Sequence, residues 1–368
     1  MTTLTITHAD WELLEDVEAD AVSVLEVTDG LIRAAVDLGD GRFSNFFITG
    51  AWTGVSGLDL TGLEGMVTGI SMDIDGVMQF DATGLAVDVE EVGEDMLDDV
   101  DDVIELALGD QVDVIGSDDD DDIACTDGDD TADGEDGDDD IHGEGGDDHL
   151  SGGRGRDHLY GGDGMDSLEG GSHHDTLSGG MGDDSMDGGG GDDNVTCGSG
   201  SDSVSGGDGM DSVRGGNGHD ELHGGRGNDD LGGHNGEDRL AGGSGADLLE
   251  GGRGHDVLAG GQGADDFRFD GLSDVDSDRI RDFSTVEDTI SLETSVFTAF
   301  GGATGAVGAD NFVANARGMA RDADDFLVYE TDTGKLFYDA DGSGDGTAVE
   351  IAVLGTDLGL ASAHFLLV

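Results

Sequence analysis

Between Gly116 and Arg268 one apolar residue returns at every ninth position, running from Ile123 through Leu159 and Val204 to Phe267. The stretch divides into seventeen consecutive nonapeptides without an insertion or deletion, and four neighbours read GGRGRDHLY, GGDGMDSLE, GGSHHDTLS and GGMGDDSMD. One apolar position in nine is too sparse for an amphipathic helix, whose apolar residues recur every three or four. It suits a very short strand. Side chains alternate across a strand, so among positions seven to nine only the eighth points inward. Two nonapeptides then complete one coil, and the array predicts a parallel β-roll solenoid with turns stacked along two edges.

On either side the pattern changes. Within residues 1–92, TLTIT, AVSVLEVT, LIRAAVDL and FSNFFIT alternate like half-buried strands, separated by turn signals such as Asp29-Gly30 and Gly39-Asp40-Gly41. Glu94 to Leu108 places Leu97, Val100, Ile104 and Leu108 on one helical stripe, with Gly109 as a stop. Val112 to Ile115 leads into the first turn. The expected architecture is all-β. A small β-rich cap domain (1–115, with a short helix near 94–108) precedes the roll (116–268), and a β-rich C-terminal domain (269–368) follows it.

Composition sharpens this reading. Gly is 70 of 368 residues, with no collagen-like tripeptide period, and proline is absent. Asp and Glu total 87 against 14 Lys plus Arg, a formal charge of −73. Such a chain repels nucleic acid and anionic membranes, and it either stays expanded or recruits cations. The repeats alone carry 41 acidic residues and seven arginines, a net −34. Their apolar interior, one residue per half-coil, is too thin to offset the entropy of ordering the chain. Metal-assisted folding is the expectation that satisfies both facts.

The sixth position of the nonapeptide is Asp in all seventeen units: Asp121, Asp130, Asp139, Asp148, Asp157, Asp166, Asp175, Asp184, Asp193, Asp202, Asp211, Asp220, Asp229, Asp238, Asp247, Asp256 and Asp265. A carboxylate is the hard oxygen ligand that Ca²⁺ prefers, and turn carbonyls would complete its shell. Glycines at positions one, two and four are expected to adopt positive φ and turn the backbone tightly. The first three units (GSDDDDDIA, CTDGDDTAD and GEDGDDDIH) are less regular and are expected to cap the array.

With its GGxGxDxUx pattern, the array resembles the bacterial RTX (repeats-in-toxin) proteins. The resemblance covers the 153 residues of repeats. It implies Ca²⁺ between successive turns on the same edge, about 15 ions in all, bound by the seventeen aspartates. The charge of those ions would bring the roll near neutrality. The C-terminal stretches DSDRIRDFSTVEDTISL and ETDTGKLFYDADGSGDGTAVEIAVLGTDLGLASAHFLLV resemble the region that follows the roll in serralysin-type relatives. That likeness implies an uncleaved signal for the type I secretion machinery, ending in Phe365-Leu366-Leu367-Val368, and folding in extracellular Ca²⁺. His364 stands where an acidic residue is common in such signals. The N-terminus shows no cleavable signal-peptide pattern, and no apolar run reaches the 18 residues of a membrane span.

Other motifs weigh less. Asp339, Asp341, Ser343, Asp345 and Glu350, with Gly344 at the sixth place, match EF-hand loop spacing. Their flanks KLFY and AVEIAVL read as strands, so a hairpin turn is the preferred reading. Cys125 and Cys197 fall on one edge, four coils and about 19 Å apart, beyond disulfide reach. Nine of eleven histidines lie in the repeats without ligand spacing, as exposed turn residues. HExxH and GxSxG are both absent, and Lys335 is the only lysine. The expectation is a secreted, extracellular, non-catalytic calcium-binding protein of a matrix, surface or adhesive kind. The alternatives are a carbohydrate- or receptor-binding module using the N-terminal domain, or a secreted hydrolase.

Overall fold

The computed structural model describes the backbone of five strands between residues 22 and 88, and residues 111–368 apart from 112, 118–119, 273–276 and 344–345. The helix expected near 94–108 and the strand TLTIT lie outside the described residues. The chain folds as two compact units, Met1–Gly171 and Ser172–Val368.

In the first unit Val22–Thr28, Leu31–Asp37, Phe43–Thr53, Glu64–Ile74 and Gln79–Asp88 pair in sequence order as an antiparallel meander. Thr28 pairs with Leu31, while Asp29 and Gly30 between them lie outside the described residues. Strand pairing joins the meander to the roll. Asp113–Ile115 pairs antiparallel with Gln79–Asp88 on one side and parallel with Thr131–Asp133 on the other. From there every pairing within the repeats of this unit is parallel: His149–Arg154 follows Thr131–Asp133, while Asp122–Ala124, Asp140–His142 and His158–Asp163 form the opposite face. Partners lie 18 residues apart, so two nonapeptides make one coil.

The second unit repeats this scheme. One face stacks Thr176–Met181, Asn194–Ser199, Ser212–Gly218, Asp230–Gly236, Leu248–Arg253 and Asp266–Phe269. The other stacks Ser185–Gly190, Ser203–Asp208, Glu221–Arg226, Arg239–Ser244 and Val257–Gln262. Beyond the nonapeptides the stack continues with Asp278–Ile280 on one face and Thr289–Leu292 on the other. Val349–Val353 and Phe365–Leu367 then pair onto these two strands in parallel. The C-terminal region buries Phe297, Tyr329, Tyr338 and Phe365, all 3% exposed or less, where the repeats bury aliphatic residues up to Phe267.

Two details of the nonapeptide differ from expectation. From His149 to Gln262 the strands are six or seven residues long, continuing through positions one to three, so positions one and eight both face inward. The eighth-position residues are buried in every unit, at 3% exposure or less. Glycine also has two separate roles. Positions two and four take positive φ, as at Gly207 (110°) and Gly209 (156°). Position one does not; it is glycine because space is lacking. A β-carbon on Gly206 would stand 2.6 Å from its own Asp211 Oδ2 and 2.7 Å from the carbonyl of Gly224 in the next turn.

Candidate metal centre

The sixth-position aspartates form two ladders in each unit. In the first unit the amide of Asp121 donates to Oδ1 of Asp139 (2.8 Å), and that of Asp139 to Oδ1 of Asp157 (3.0 Å). On the other edge Asp130 donates to Asp148 and Asp148 to Asp166, at 2.8 and 2.9 Å. In the second unit one ladder steps through Asp175, Asp193, Asp211, Asp229, Asp247 and Asp265, and the other through Asp184, Asp202, Asp220, Asp238 and Asp256. All but Asp121 are buried, at 2% exposure or less. The sequence-derived site residues are thus brought together edge by edge within each unit.

In the inner turns the ladder accounts for one carboxylate oxygen, Oδ1. Oδ2 of Asp139, Asp148, Asp193, Asp202, Asp211, Asp220, Asp229, Asp238 and Asp247 is buried and accepts no hydrogen bond. A buried carboxylate oxygen without a donor is costly unless a cation sits against it. Electrostatics agree. Burial, with the carboxylates of neighbouring turns adding to it, pushes Asp139, Asp193, Asp202, Asp211 and Asp247 up to about 6. The same causes push Asp148 and Asp238 up to about 7. At neutral pH these stacked anions require a counter-charge inside the turns.

The surroundings fit a hard cation. Carbonyl oxygens of one turn face the glycines of the next: Glu135 O faces Gly153, and Gly200 O faces Gly218. Among the described residues no three His, Cys, Asp or Glu side chains form a ready-made cage. An ion here would be held by aspartate oxygens and turn carbonyls, a donor set that suits Ca²⁺ over a nitrogen- or sulfur-seeking metal.

Several residues escaped the sequence reading. The ladders run past the last nonapeptide: Asp256 donates to Asp278 Oδ1 (3.0 Å) and Asp265 to Asp288 Oδ1 (3.1 Å). The signal was present, because Asp278-Arg279-Ile280 and Asp288-Thr289-Ile290 keep the Asp-x-apolar core of the repeat. A second, outer ladder links fifth positions. The amides of Met210, Ser201 and Ala246 donate to Asp192, Asp183 and Asn228 of the preceding turn. Two fifth-position histidines play the same part: Nδ1 of His174 accepts from Asp192 (2.6 Å), and Nδ1 of His219 from Glu237 (2.8 Å).

The remaining candidates resolve simply. Cys125 and Cys197 are buried free thiols. Burial first, then nearby aspartates, pushes both thiols well above their ordinary range. The EF-hand-like loop joins two antiparallel strands, Lys335–Tyr338 and Val349–Val353. Glu350, the would-be twelfth ligand, is engaged by Lys335 Nζ (2.7 Å) and the Ser277 hydroxyl (3.0 Å). Eight of the nine repeat histidines are exposed, and His142 stacks on Tyr160 at 4.5 Å.

Comparison with known proteins agrees with the ladder. The family model of the RTX calcium-binding nonapeptide repeat matches residues 115–150, 126–159, 142–176, 160–195, 198–231 and 232–267. No curated protein matches the chain. Among solved structures, the AlgE6R3 subunit of the Azotobacter vinelandii mannuronan C5-epimerase is 30% identical over 40% of this chain and 78% of that one, with a TM-score of 0.28.

Proposed function

Because the chain belongs to the RTX calcium-binding nonapeptide-repeat family, we propose that it is a secreted protein whose roll folds when Ca²⁺ enters its turns outside the cell, and that it serves as a non-catalytic matrix, surface or adhesive component. The observation that carries this reading is the set of buried Oδ2 atoms without a donor, repeated turn after turn. Without cations the stacked carboxylates repel one another across a core one side chain thick. With them, each turn gains a neutral, oxygen-lined filling. At low cytosolic calcium the chain stays open, and millimolar calcium outside is enough for weak sites acting in series.

Export by the type I secretion machinery, with its signal in residues 269–368, is part of the proposal. Its support is physical. Phe365 and Leu367, the apolar ending of that signal, are 1% and 4% exposed when paired onto Thr289–Leu292. Recognition of the ending therefore requires a chain that has not yet folded, and a calcium-dependent fold supplies one. The non-catalytic role rests on the absence of HExxH and GxSxG from the sequence.

The test is far-UV circular dichroism of the full chain during a Ca²⁺ titration, with Mg²⁺ as control. A cooperative gain of β signal specific to Ca²⁺ is expected. A full β signal in excess chelator at pH 7.5 would refute calcium-dependent folding. Export is tested separately, by co-expression with a type I exporter and deletion of residues 365–368. Appearance of the deleted chain in the medium at the wild-type level would refute the C-terminal signal.

A further inference from the structure

The end turns of the roll treat their aspartates differently from the inner ones. Oδ2 of Asp121 accepts from the amide (2.6 Å) and the hydroxyl (3.0 Å) of Ser117. Oδ2 of Asp130 accepts from the amide (2.6 Å) and hydroxyl (3.0 Å) of Thr126. At the far end of the second unit, Oδ2 of Asp288 accepts from the amide of Ser284 at 2.7 Å. In each case the donor lies four residues before the aspartate, the place that position two holds in the nonapeptide. The inner turns have Gly there at positive φ, as at Gly207 and Gly225, and the corresponding Oδ2 atoms of Asp211 and Asp229 accept nothing.

From this contrast we propose that the cation sites begin one turn later than the repeats do: the turns of Asp121 and Asp130 are protein-closed caps that hold no calcium at Oδ2. The inference rests on the calcium reading above and assigns which turns bind. The physical reason is local. An amide and a hydroxyl aimed at one carboxylate oxygen present two proton ends to the space a cation would need, so an ion could enter only by displacing both donors. Where Gly occupies position two with positive φ, the amide is not spent on the carboxylate and the oxygen stays open. Side-chain identity alone does not close a turn: Glu135 and Glu144 stand at position two yet keep positive φ (71° and 70°), and Oδ2 of Asp139 and Asp148 remains without a donor. At Asp121 and Asp130 a short hydroxyl side chain adds a second bond back to the aspartate, as Ser and Thr do in turns.

Closed first turns also suit their position. No nonapeptide precedes either of them on its own edge, so an ion there would lack the oxygens of a preceding repeat. A cap that satisfies its own carboxylate can order before any calcium arrives, giving the first cation-binding turn a formed edge to stack upon.

The test counts Ca²⁺ bound per full-length chain by equilibrium dialysis against ⁴⁵Ca²⁺. Asp130→Asn is expected to leave the number unchanged, whereas Asp211→Asn lowers it by at least one. Thr126→Gly, which returns the inner-turn residue to position two, is expected to raise the number by one. Loss of bound calcium in Asp130→Asn, or an unchanged number in Thr126→Gly, overturns the assignment. Wild-type protein that binds no calcium at all would instead sink the family-based reading on which the assignment rests.

Discussion

Position-one glycine is where close packing of the coils can be measured. Gly188 and Gly190 sit two residues apart in one strand, Ser185–Gly190, and neither has positive φ. A β-carbon at Gly188 would stand 2.6 Å from the carbonyl oxygen of Gly206 and 2.7 Å from Asp193 Oδ2. At Gly190 nothing lies within 4 Å. Contacts between carbon and oxygen settle several tenths of an ångström further out, so Gly188→Ala must push the next coil and the ladder carboxylate away together. Overpacking of this kind costs about 1–3 kcal/mol. For a unit of this size, about 2 kcal/mol corresponds to a Tm lower by about 4–8 °C. Cys125 and Cys197 occupy the same position in their own units, so the backbone can yield, and the cost is a finite strain and not a failure to fold. Gly190→Ala should be neutral or raise Tm, because alanine narrows the unfolded ensemble at no native cost. The assay is thermal unfolding of both variants in saturating Ca²⁺. Equal Tm shifts for the two would refute the claim that position one is glycine for want of space.

Three further outcomes are expected. In excess chelator, acid should promote the roll. The buried aspartates have folded values near 6 to 7 against an unfolded value near 4, so their contribution is complete below about pH 4 and is lost as pH rises through 6 to 7. Circular dichroism in chelator at pH 5.0 should therefore show more β signal than at pH 7.5, and an unchanged spectrum would contradict this. Tyr329→Phe removes a fully buried hydroxyl that donates to Gly355 O and accepts from the Leu358 amide. It should cost about 1–3 kcal/mol in urea unfolding with calcium present, and a change below a few tenths would deny the hydroxyl that role. Lys335→Met breaks a partly exposed pair with Glu350 and should change stability by less than about 1 kcal/mol in the same assay; a larger loss would mark Lys335 as structural.

The repeats were legible because two different constraints share one period. The eighth position must be apolar to fill the coil, as Leu159 and Leu222 do, and the sixth must be aspartate to continue the ladder, as Asp157 and Asp220 do. Strand length was not legible, and the reason is the glycines themselves. Position one faces inward while positions two and three do not, but at positions one and two a residue without a side chain leaves no polar or apolar mark. Positive φ at positions two and four and lack of space at position one likewise produce the same letter, so only coordinates tell Gly206 from Gly207.

Where the period breaks, the sequence loses the ladder although the physics does not. Asp278 and Asp288 stand 22 and 23 residues after their partners, not 18, because the connecting turns are longer. A carboxylate needs only to arrive at the right height beneath an amide, whatever the number of residues between the two. The junction at the other end was hidden for a different reason. Asp113–Ile115 joins the meander to the roll by pairing antiparallel with one neighbour and parallel with the other. The antiparallel partner lies more than thirty positions away, and the choice leaves no trace in a three-residue segment. Ser117 and Thr126 were visible only as irregular first units. Their meaning lies in a hydrogen bond to the residue four places on, and the same spacing returns at Ser284 and Asp288, where no nonapeptide remains to reveal it.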